Sequence, residues 1–234
     1  MTDKDFDSRW EENVYGAGRH LNQWPSECVI SAFHYFRREN PTAGSRPYAA
    51  LDLGCGAGNN ARFLAKSGCK VTAIDGSETA VATAAEWAKL EDLEINFLVG
   101  GFLDDEIWKD QNYDFILDRS SLNHSNRATI SAVIQKIKRA LNPGGWFFSE
   151  IFSTEHSDRR FGVEGDDGTY KDFSDGYFKD IAQTFFASKL DIEELYGEQL
   201  EIHSLQKVIV SDALGDSVSA AWRVIGVRRD DGNE

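Results

Sequence analysis

LDLGCGAGNN, residues 51–60, sets Gly54, Gly56 and Gly58 at alternate positions straight after an apolar run that carries Asp52. Glycines in such a turn let the backbone come close to a bound nucleotide. A phosphate-binding loop needs GxxxxGK followed by Ser or Thr, and nothing in the chain matches it. A dinucleotide turn needs GxGxxG, whose third glycine lets helix and strand pack closely. Here the third glycine comes one position early and is followed by Asn59 and Asn60. Asp52, two residues before the first glycine, would repel a pyrophosphate; it would instead accept hydrogen bonds from an ammonium group or an ordered water. Asp75 ends a second apolar run, KVTAID, where a carboxylate accepts both hydroxyls of a ribose. Together these residues describe a ligand with a ribose, a cationic amino-acid tail and no phosphate. S-adenosylmethionine is such a ligand.

Transfer of its methyl group is an in-line displacement at a sulfonium. The main requirement is a nucleophile held ~3 Å from the methyl carbon, on the axis of the leaving sulfur. A base is needed only when the nucleophile must lose a proton. Three candidates stand near predicted strand ends: His124 in LNHSN, Glu150 and His156. His20 is also expected to face the cleft, whereas His34 and His203 read as parts of regular elements. Neither paired cysteines nor a metal-ligand spacing is present, so no metal is expected.

These residues need a frame. Residues 1–46 read as mostly helical, with Pro25 opening a segment that carries Val29, Ile30, Phe33 and Phe36, and PTAGSRP (41–47) breaking it. Strands and helices then alternate. Residues 49–53, 70–75, 94–99, 113–118 and 146–152 read as strands; residues 59–67 read as a helix, and a second follows Ser77, a good N-cap. Ile130, Val133, Ile134, Ile137 and Leu141 keep helical spacing up to Pro143-Gly144-Gly145. Residues 153–175, rich in Gly, Asp and Ser, read as a long loop or lid, followed by helices around 176–187 and 190–196. Residues 201–210 and 217–227 read as a terminal hairpin turning at DALGD. The expected fold is α/β: a three-layer sandwich around a doubly wound, seven-stranded, mostly parallel sheet closed by an antiparallel C-terminal hairpin. The whole chain is expected to be one domain, with an N-terminal cap (1–46), a cofactor-binding core (47–152), a lid or substrate insertion (153–197) and the hairpin (198–234).

Composition limits the partners. The 234 residues carry a formal net charge of −14, and 41% of them are hydrophobic, enough for a full core. Such an acidic surface is a poor partner for nucleic acid or anionic membranes, and Lys136, Lys138 and Arg139 read as the solvated side of a helix. Cys28, Cys55 and Cys69 are odd in number and widely spaced, against a disulfide framework. MTDKDFDSRWEEN lacks the apolar core of a signal peptide, and no run reaches the ~18 apolar residues of a membrane span. A cytoplasmic location is expected.

The residues that carry this reading resemble the class I methyltransferases that use S-adenosylmethionine. ALDLGCGAGNN resembles the family's first motif, VTAIDGS its acidic ribose-binding motif, YDFILDRSSL its fourth strand, and ALNPGGWFFSE its turn into the fifth strand. A narrower likeness, through DRSSL, IEELYG and AWRVIGVRR, is to the thiopurine and tellurite-resistance branch. YGAGRHLNQWP is similar to the N-terminal segments of small bacterial methyltransferases that act on sugars or metabolites.

The resemblance implies that the backbone of Gly54, Cys55, Gly56 and Gly58 passes the cofactor, that Asp52, Asn59 and Asn60 serve its methionine end, and that Asp75, Gly76 and Ser77 serve its ribose. Relatives place an acid and an apolar residue after the third strand for adenine. Here Gly101 and Phe102 stand there, and the acid is missing or displaced to Asp104. Asp118 and Arg119 are counted with the cofactor site at the end of the fourth strand: Asp118 meets either the methionine tail or the substrate, Arg119 pairs either with a substrate anion or with Asp118, and Tyr15 and Arg19 close over the cofactor and bind its carboxylate. No Asp- or Asn-led Pro-Pro-aromatic motif follows the fourth strand and no Pro-Cys pair exists, which argues against methylation of nucleic-acid bases. The acceptor implied is an oxygen, nitrogen or sulfur of a small metabolite, sugar or natural product, with S-adenosylhomocysteine as coproduct. A cofactor-binding regulatory module without transfer activity and an NAD-dependent oxidoreductase remain as alternatives.

Overall fold

The computed structural model describes residues 6–41, 46–109 and 112–229. The expected break at 41–47 falls largely on residues 42–45, and the charged N-terminal run begins on residues 1–5; both stretches lie outside the described residues. The N-terminal section is only partly helical: a π-helical segment, Trp10–Tyr15, precedes helix α1, Glu27–Glu39. Helix α1 buries Val29, Phe33 and Phe36 on one stripe.

Five strands follow, β1 (Ala49–Leu53), β2 (Lys70–Asp75), β3 (Ile95–Val99), β4 (Tyr113–Arg119) and β5 (Leu141–Phe152), separated by helices α2 (Asn59–Lys66), α3 (Glu78–Leu90), the short α4 (Asp105–Trp108) and α5 (Arg127–Ala140). Helix α3 is capped at Ser77 as the sequence suggests, and α5 is capped at Asn126. Ser77 Oγ accepts the Ala80 amide, and Asn126 Oδ1 accepts the Thr129 amide. Later come the short strands β6 (Val163–Glu164), β7 (Thr169–Lys171) and β8 (Gln183–Phe185), helix α6 (Lys189–Leu195), and the long strands β9 (Glu201–Ser211) and β10 (Val218–Val227).

The main sheet has seven strands in the order β3-β2-β1-β4-β5-β10-β9. β1 to β5 pair in parallel, and β10 runs antiparallel to both β5 and β9. Alternate residues along each strand serve opposite layers. Leu51, Ile116 and Phe147 pack toward α5 and α6; Ala50, Phe115 and Phe148 pack toward α1 and α2. The strand order reverses between β1 and β4, each of which leads into a different flank. In open sheets of this kind the crevice beyond the carboxyl ends at the reversal is where ligands bind.

The region after β5 departs from expectation. Residues 153–175 hold a 3-10 turn at Ser157–Phe161 and the strands β6 and β7 in place of a plain loop. No helix forms over 176–187. Phe178, Ile181 and Phe185 have helical spacing, but Thr184, Phe185, Phe186 and Ala187 are all buried in succession, which no single helix face provides. Residues 183–185 instead pair with 169–171 in a three-stranded sheet. Phe173, Phe178, Ile181 and Phe186 form a separate apolar cluster with Val14 of the π-helical segment. Among the described residues no helix is long and apolar enough to cross a membrane.

Candidate active site

A cavity of about 380 Å3 opens at the carboxyl ends of β1 to β5, lined in turn by Gly54, Asp75, Gly100, Arg119 and Phe152. Its floor is the glycine turn. Gly54 has φ +67°, and a Cβ there would lie 2.3 Å from the Ser121 Cβ. Gly56 has φ +52°, and its Cβ would lie 2.8 Å from the Tyr15 hydroxyl. Both positions therefore require glycine for conformation and for space. Gly58 caps α2 and does not line the cavity.

Asp75 ties this floor to the second strand. Its Oδ2 accepts the Gly56 amide at 2.9 Å and its Oδ1 the Ser77 amide at 2.9 Å. Gly76 also bonds to this carboxylate through its backbone, and the lone pairs these amides leave are open to a ligand. Burial raises the carboxyl to about 6, against the backbone bonds that lower it. Gly76 and Asn59 also line the cavity, as do Cys55 and Asn60, which are otherwise buried. Burial pushes the Cys55 thiol far up, which leaves it uncharged. The side chains of Asn59 and Asn60 hold the preceding segment: Asn59 Nδ2 donates to the Trp24 carbonyl at 2.9 Å, and Asn60 Oδ1 accepts the Ser26 amide at 3.0 Å. Ser77 lies behind the wall, its hydroxyl donating to Glu11.

Asp52 does not line the cavity. Strand alternation turns it away from the Leu51 and Leu53 layer, and it accepts a backbone bond from Ala61 of α2. Its Oδ2 has no partner among the described residues. Burial, then the nearby carboxylates Asp75 and Asp118, raise it to about 8.

Asp118 is likewise buried behind the wall. Its Oδ1 accepts the Ser121 and Leu122 amides at 2.9 and 3.0 Å, and its Oδ2 the Ser149 hydroxyl at 2.7 Å. It shapes the turn after β4, where Ser120 takes φ +56°. Gly101 and Phe102 line the cavity, with Phe102 directly above Gly54. Asp104, the displaced acid of the sequence reading, caps α4 by accepting the Glu106 amide and stays out of the cavity.

The opposite wall comes from distant segments. Tyr15, Trp10 and His20 enter from the N-terminus, His124 and Phe152 from the sheet edge, and Tyr177 from the insertion. Asp7 accepts the Ala182 amide at 2.8 Å, and Glu11 accepts the Ser77 and Thr79 hydroxyls, so residues 7–11 bridge both rims. Arg19 stays outside the cavity, donating to the Asn13 carbonyl and pairing with Asp180 at 2.9 Å.

His124 Nδ1 lies 3.3 Å from the Gln183 carbonyl, which can only accept, so Nδ1 carries the proton and Nε2 keeps its lone pair. Burial lowers the imidazole to about 4. Glu150 and His156 stand elsewhere. Glu150 is buried between Arg223 at 2.7 Å and Arg119 at 3.4 Å. His156 caps the 3-10 turn by accepting the Asp158 amide and lines a separate surface depression.

A cofactor with a ribose and an uncharged base fits this set better than a dinucleotide. The carboxylate at the glycine turn can still accept hydroxyls, and Arg119, at the end of β4 beside that turn, is the only Lys or Arg lining the cavity among the described residues. The aromatic wall formed by Trp10, Phe152 and Tyr177 was not legible from local sequence patterns. Its members are unremarkable aromatics, and only tertiary pairing brings them together.

Residues 50–145 match the family described as Methyltransferase domain. A probable S-adenosyl-L-methionine-dependent methyltransferase, TehB of Haemophilus influenzae, is 33% identical over 100 residues, covering 43% of this chain and 34% of that one. A ubiquinone biosynthesis O-methyltransferase of Rickettsia typhi is 33% identical over 95 residues, covering 41% and 37%. The matches thus span about a third of the length of these relatives. Among solved structures, the Burkholderia thailandensis 1,6-didemethyltoxoflavin-N1-methyltransferase superposes with a TM-score of 0.64 at 19% identity, covering 94% of this chain and 85% of that one. At that identity the likeness is one of fold.

Proposed function

We propose that this chain is a class I S-adenosylmethionine-dependent methyltransferase and that it methylates an oxygen, nitrogen or sulfur of a small molecule. The observation that carries the reading is the pairing of two unlike walls in one cavity: the Asp75 carboxylate held at the glycine turn, and an aromatic wall with a neutral histidine facing it.

S-adenosylmethionine, when bound, supplies an electrophilic sulfonium methyl; the acceptor lone pair forms the new bond as the carbon–sulfur bond breaks, leaving S-adenosylhomocysteine. Asp75 and Gly76 would hold the ribose, Gly101 and Phe102 the adenine, and the backbone of Gly54 to Gly56 the methionine end, with Tyr15 closing over it. Asp52 and Asp118 would act through the turns they brace. Arg119 belongs with the acceptor.

The chain's own acid–base work falls to His124. Its Nε2 lone pair accepts the proton of an O–H or N–H acceptor. A base lowered to about 4 is weak, yet it suffices, because an oxygen becomes strongly acidic as it gains a methyl group. Asn123 Nδ2 lies 3.3 Å from Nε2, and its Oδ1 has no partner among the described residues. That amide occupies the single Nε2 lone pair at rest, so Asn123 must swing aside for an acceptor hydroxyl to take its place.

A small acceptor is favoured by the cavity size, about 380 Å3, and by the cover that residues 6–15 and 177 make over it. The net charge of −14 disfavours nucleic acid. In this reading the chain is one domain in which the N-terminal section and residues 153–197 together roof the core. Calorimetry with S-adenosylhomocysteine and with NAD tests the cofactor, and binding of NAD in its place would sink the proposal. Transfer of labelled methyl to a metabolite extract, with mass spectrometry of the product, tests the transfer; cofactor binding without any labelled product would favour a regulatory module.

A further inference from the structure

The acceptor side of the cavity has a chemistry of its own. Trp10 and His124 lie with ring centroids 4.8 Å apart, Phe152 stands 6.3 Å from His124, and His20 meets Tyr177 edge-on at 5.5 Å. This is a wall of rings, suited to a flat apolar body. It carries one cation, Arg119, and one carboxylate, Asp7. Arg119, at the mouth of the same wall, is close enough to bear on both His20 and Tyr177. Its Nε meets Glu150 at a loose 3.4 Å, while Glu150 takes its 2.7 Å bond from Arg223. The Arg119 Nη groups have no hydrogen-bond partner among the described residues, and the side chain is 43% exposed. Both histidines of the wall are held toward the neutral form, chiefly by burial.

Carboxylates are engaged elsewhere. Asp7 accepts the Arg9 and Ala182 amides. Asp75 belongs to the glycine turn. The acids of the insertion stay out of this cavity: Glu155 pairs with Lys207, and Asp158 accepts the Tyr177 amide. Ser120, beside Arg119, lines the wall and carries a buried hydroxyl with no partner among the described residues.

We infer that the acceptor is a planar aromatic acid: a ring that lies against Trp10 and Phe152, carries the methyl-accepting hydroxyl or nitrogen, and presents an anionic group to Arg119. The inference rests on the methyltransferase reading above and narrows it. Arg119 selects the acceptor's charge, and the rings select its shape.

Three compounds that share one ring and two hydroxyls but differ in charge give the test: 3,4-dihydroxybenzoate, catechol and dopamine, each titrated calorimetrically into the protein saturated with S-adenosylhomocysteine. The benzoate is expected to bind roughly tenfold tighter than catechol, as one charge-assisted hydrogen-bonded pair provides, and dopamine more weakly than either. Arg119→Gln should bring the benzoate down to the catechol value, and Arg119→Lys should keep part of the preference. Trp10→Ala should weaken all three by a similar factor. Dopamine binding best, an unchanged order in Arg119→Gln, or no binding by any of the three would overturn the inference. The saturation step separates the two readings. Failure to bind S-adenosylhomocysteine removes the methyltransferase assignment itself; binding it with the wrong charge order removes only the acceptor class. Should Arg119→Gln fail to fold, the wild-type series and the lysine variant still decide.

Discussion

The Asp75 carboxylate accepts the Gly56 amide at 2.9 Å, locking the end of β2 to the turn that follows β1. One side chain thus sets the floor of the cavity and also faces the ligand. Asp75→Ala should weaken S-adenosylhomocysteine binding by roughly 30-fold or more, the loss of about 2 kcal/mol or more of charge-assisted hydrogen bonding. Burial raises this carboxyl to about 6, and only its charged form accepts two ligand hydroxyls. Affinity should therefore hold above pH 7 and fall as pH drops through 6. Calorimetry across that range checks both statements, and an unchanged affinity in the variant would remove Asp75 from the site.

The two positive-φ glycines of the floor meet different neighbours, so they should fail differently. Gly54→Ala drives a Cβ to 2.3 Å from the Ser121 Cβ, against backbone-anchored atoms. It should cost about 2–4 kcal/mol in unfolding experiments, from strain plus overpacking. Gly56→Ala meets the end of a side chain, the Tyr15 hydroxyl at 2.8 Å. Adding Tyr15→Phe should restore part of its stability. Equal behaviour in the single and the double variant would show that Tyr15 does not rest on the turn.

The floor was legible in the sequence because its signals are local. Glycine spacing, a strand ending in Asp75 and an N-cap at Ser77 all act within a few residues. The roof was not. Phe178, Ile181 and Phe185 have helical spacing, but strand pairing with 169–171 overrides it. Trp10 and Tyr177 reach the cavity through Asp7 and Asn13, which bond to the main chain of residues 182 and 180. No periodicity announces such contacts. Asp52 marks the limit from the other side: its residue type was readable, but the strand face that turns it toward α2 was not.

Asp52 should make stability depend on pH. Its folded-state carboxyl is raised to about 8, above its ordinary value near 4. The native state then holds a proton that the unfolded state has lost, so stability falls as pH rises from about 4 to 8. Asp52→Asn removes the titration while keeping an oxygen for the Ala61 amide. The variant should be more stable than the parent at pH 8.5, by on the order of 2 kcal/mol, and little changed at pH 5. Chemical denaturation at the two pH values measures the difference. A constant offset would mean that Asp52 ionises normally behind the glycine turn.

His124 should separate proton transfer from cofactor binding. With Nδ1 bonded to the Gln183 carbonyl and the ring lowered to about 4, the imidazole is neutral throughout the working range. Its own protonation therefore lowers the rate only below about pH 5, and any loss near 6 belongs to Asp75. His124→Gln should reduce kcat by about 100-fold with an O–H acceptor, the usual size of a general-base contribution. The variant should still bind S-adenosylhomocysteine. Its rate should climb with pH, because the acceptor must then ionise unaided, while the parent stays flat above pH 7. With an acceptor already anionic at neutral pH, parent and variant should converge. A loss under threefold with the hydroxyl acceptor, or a parallel pH profile in the two proteins, would take His124 out of the chemistry and leave it a wall of the aromatic slot.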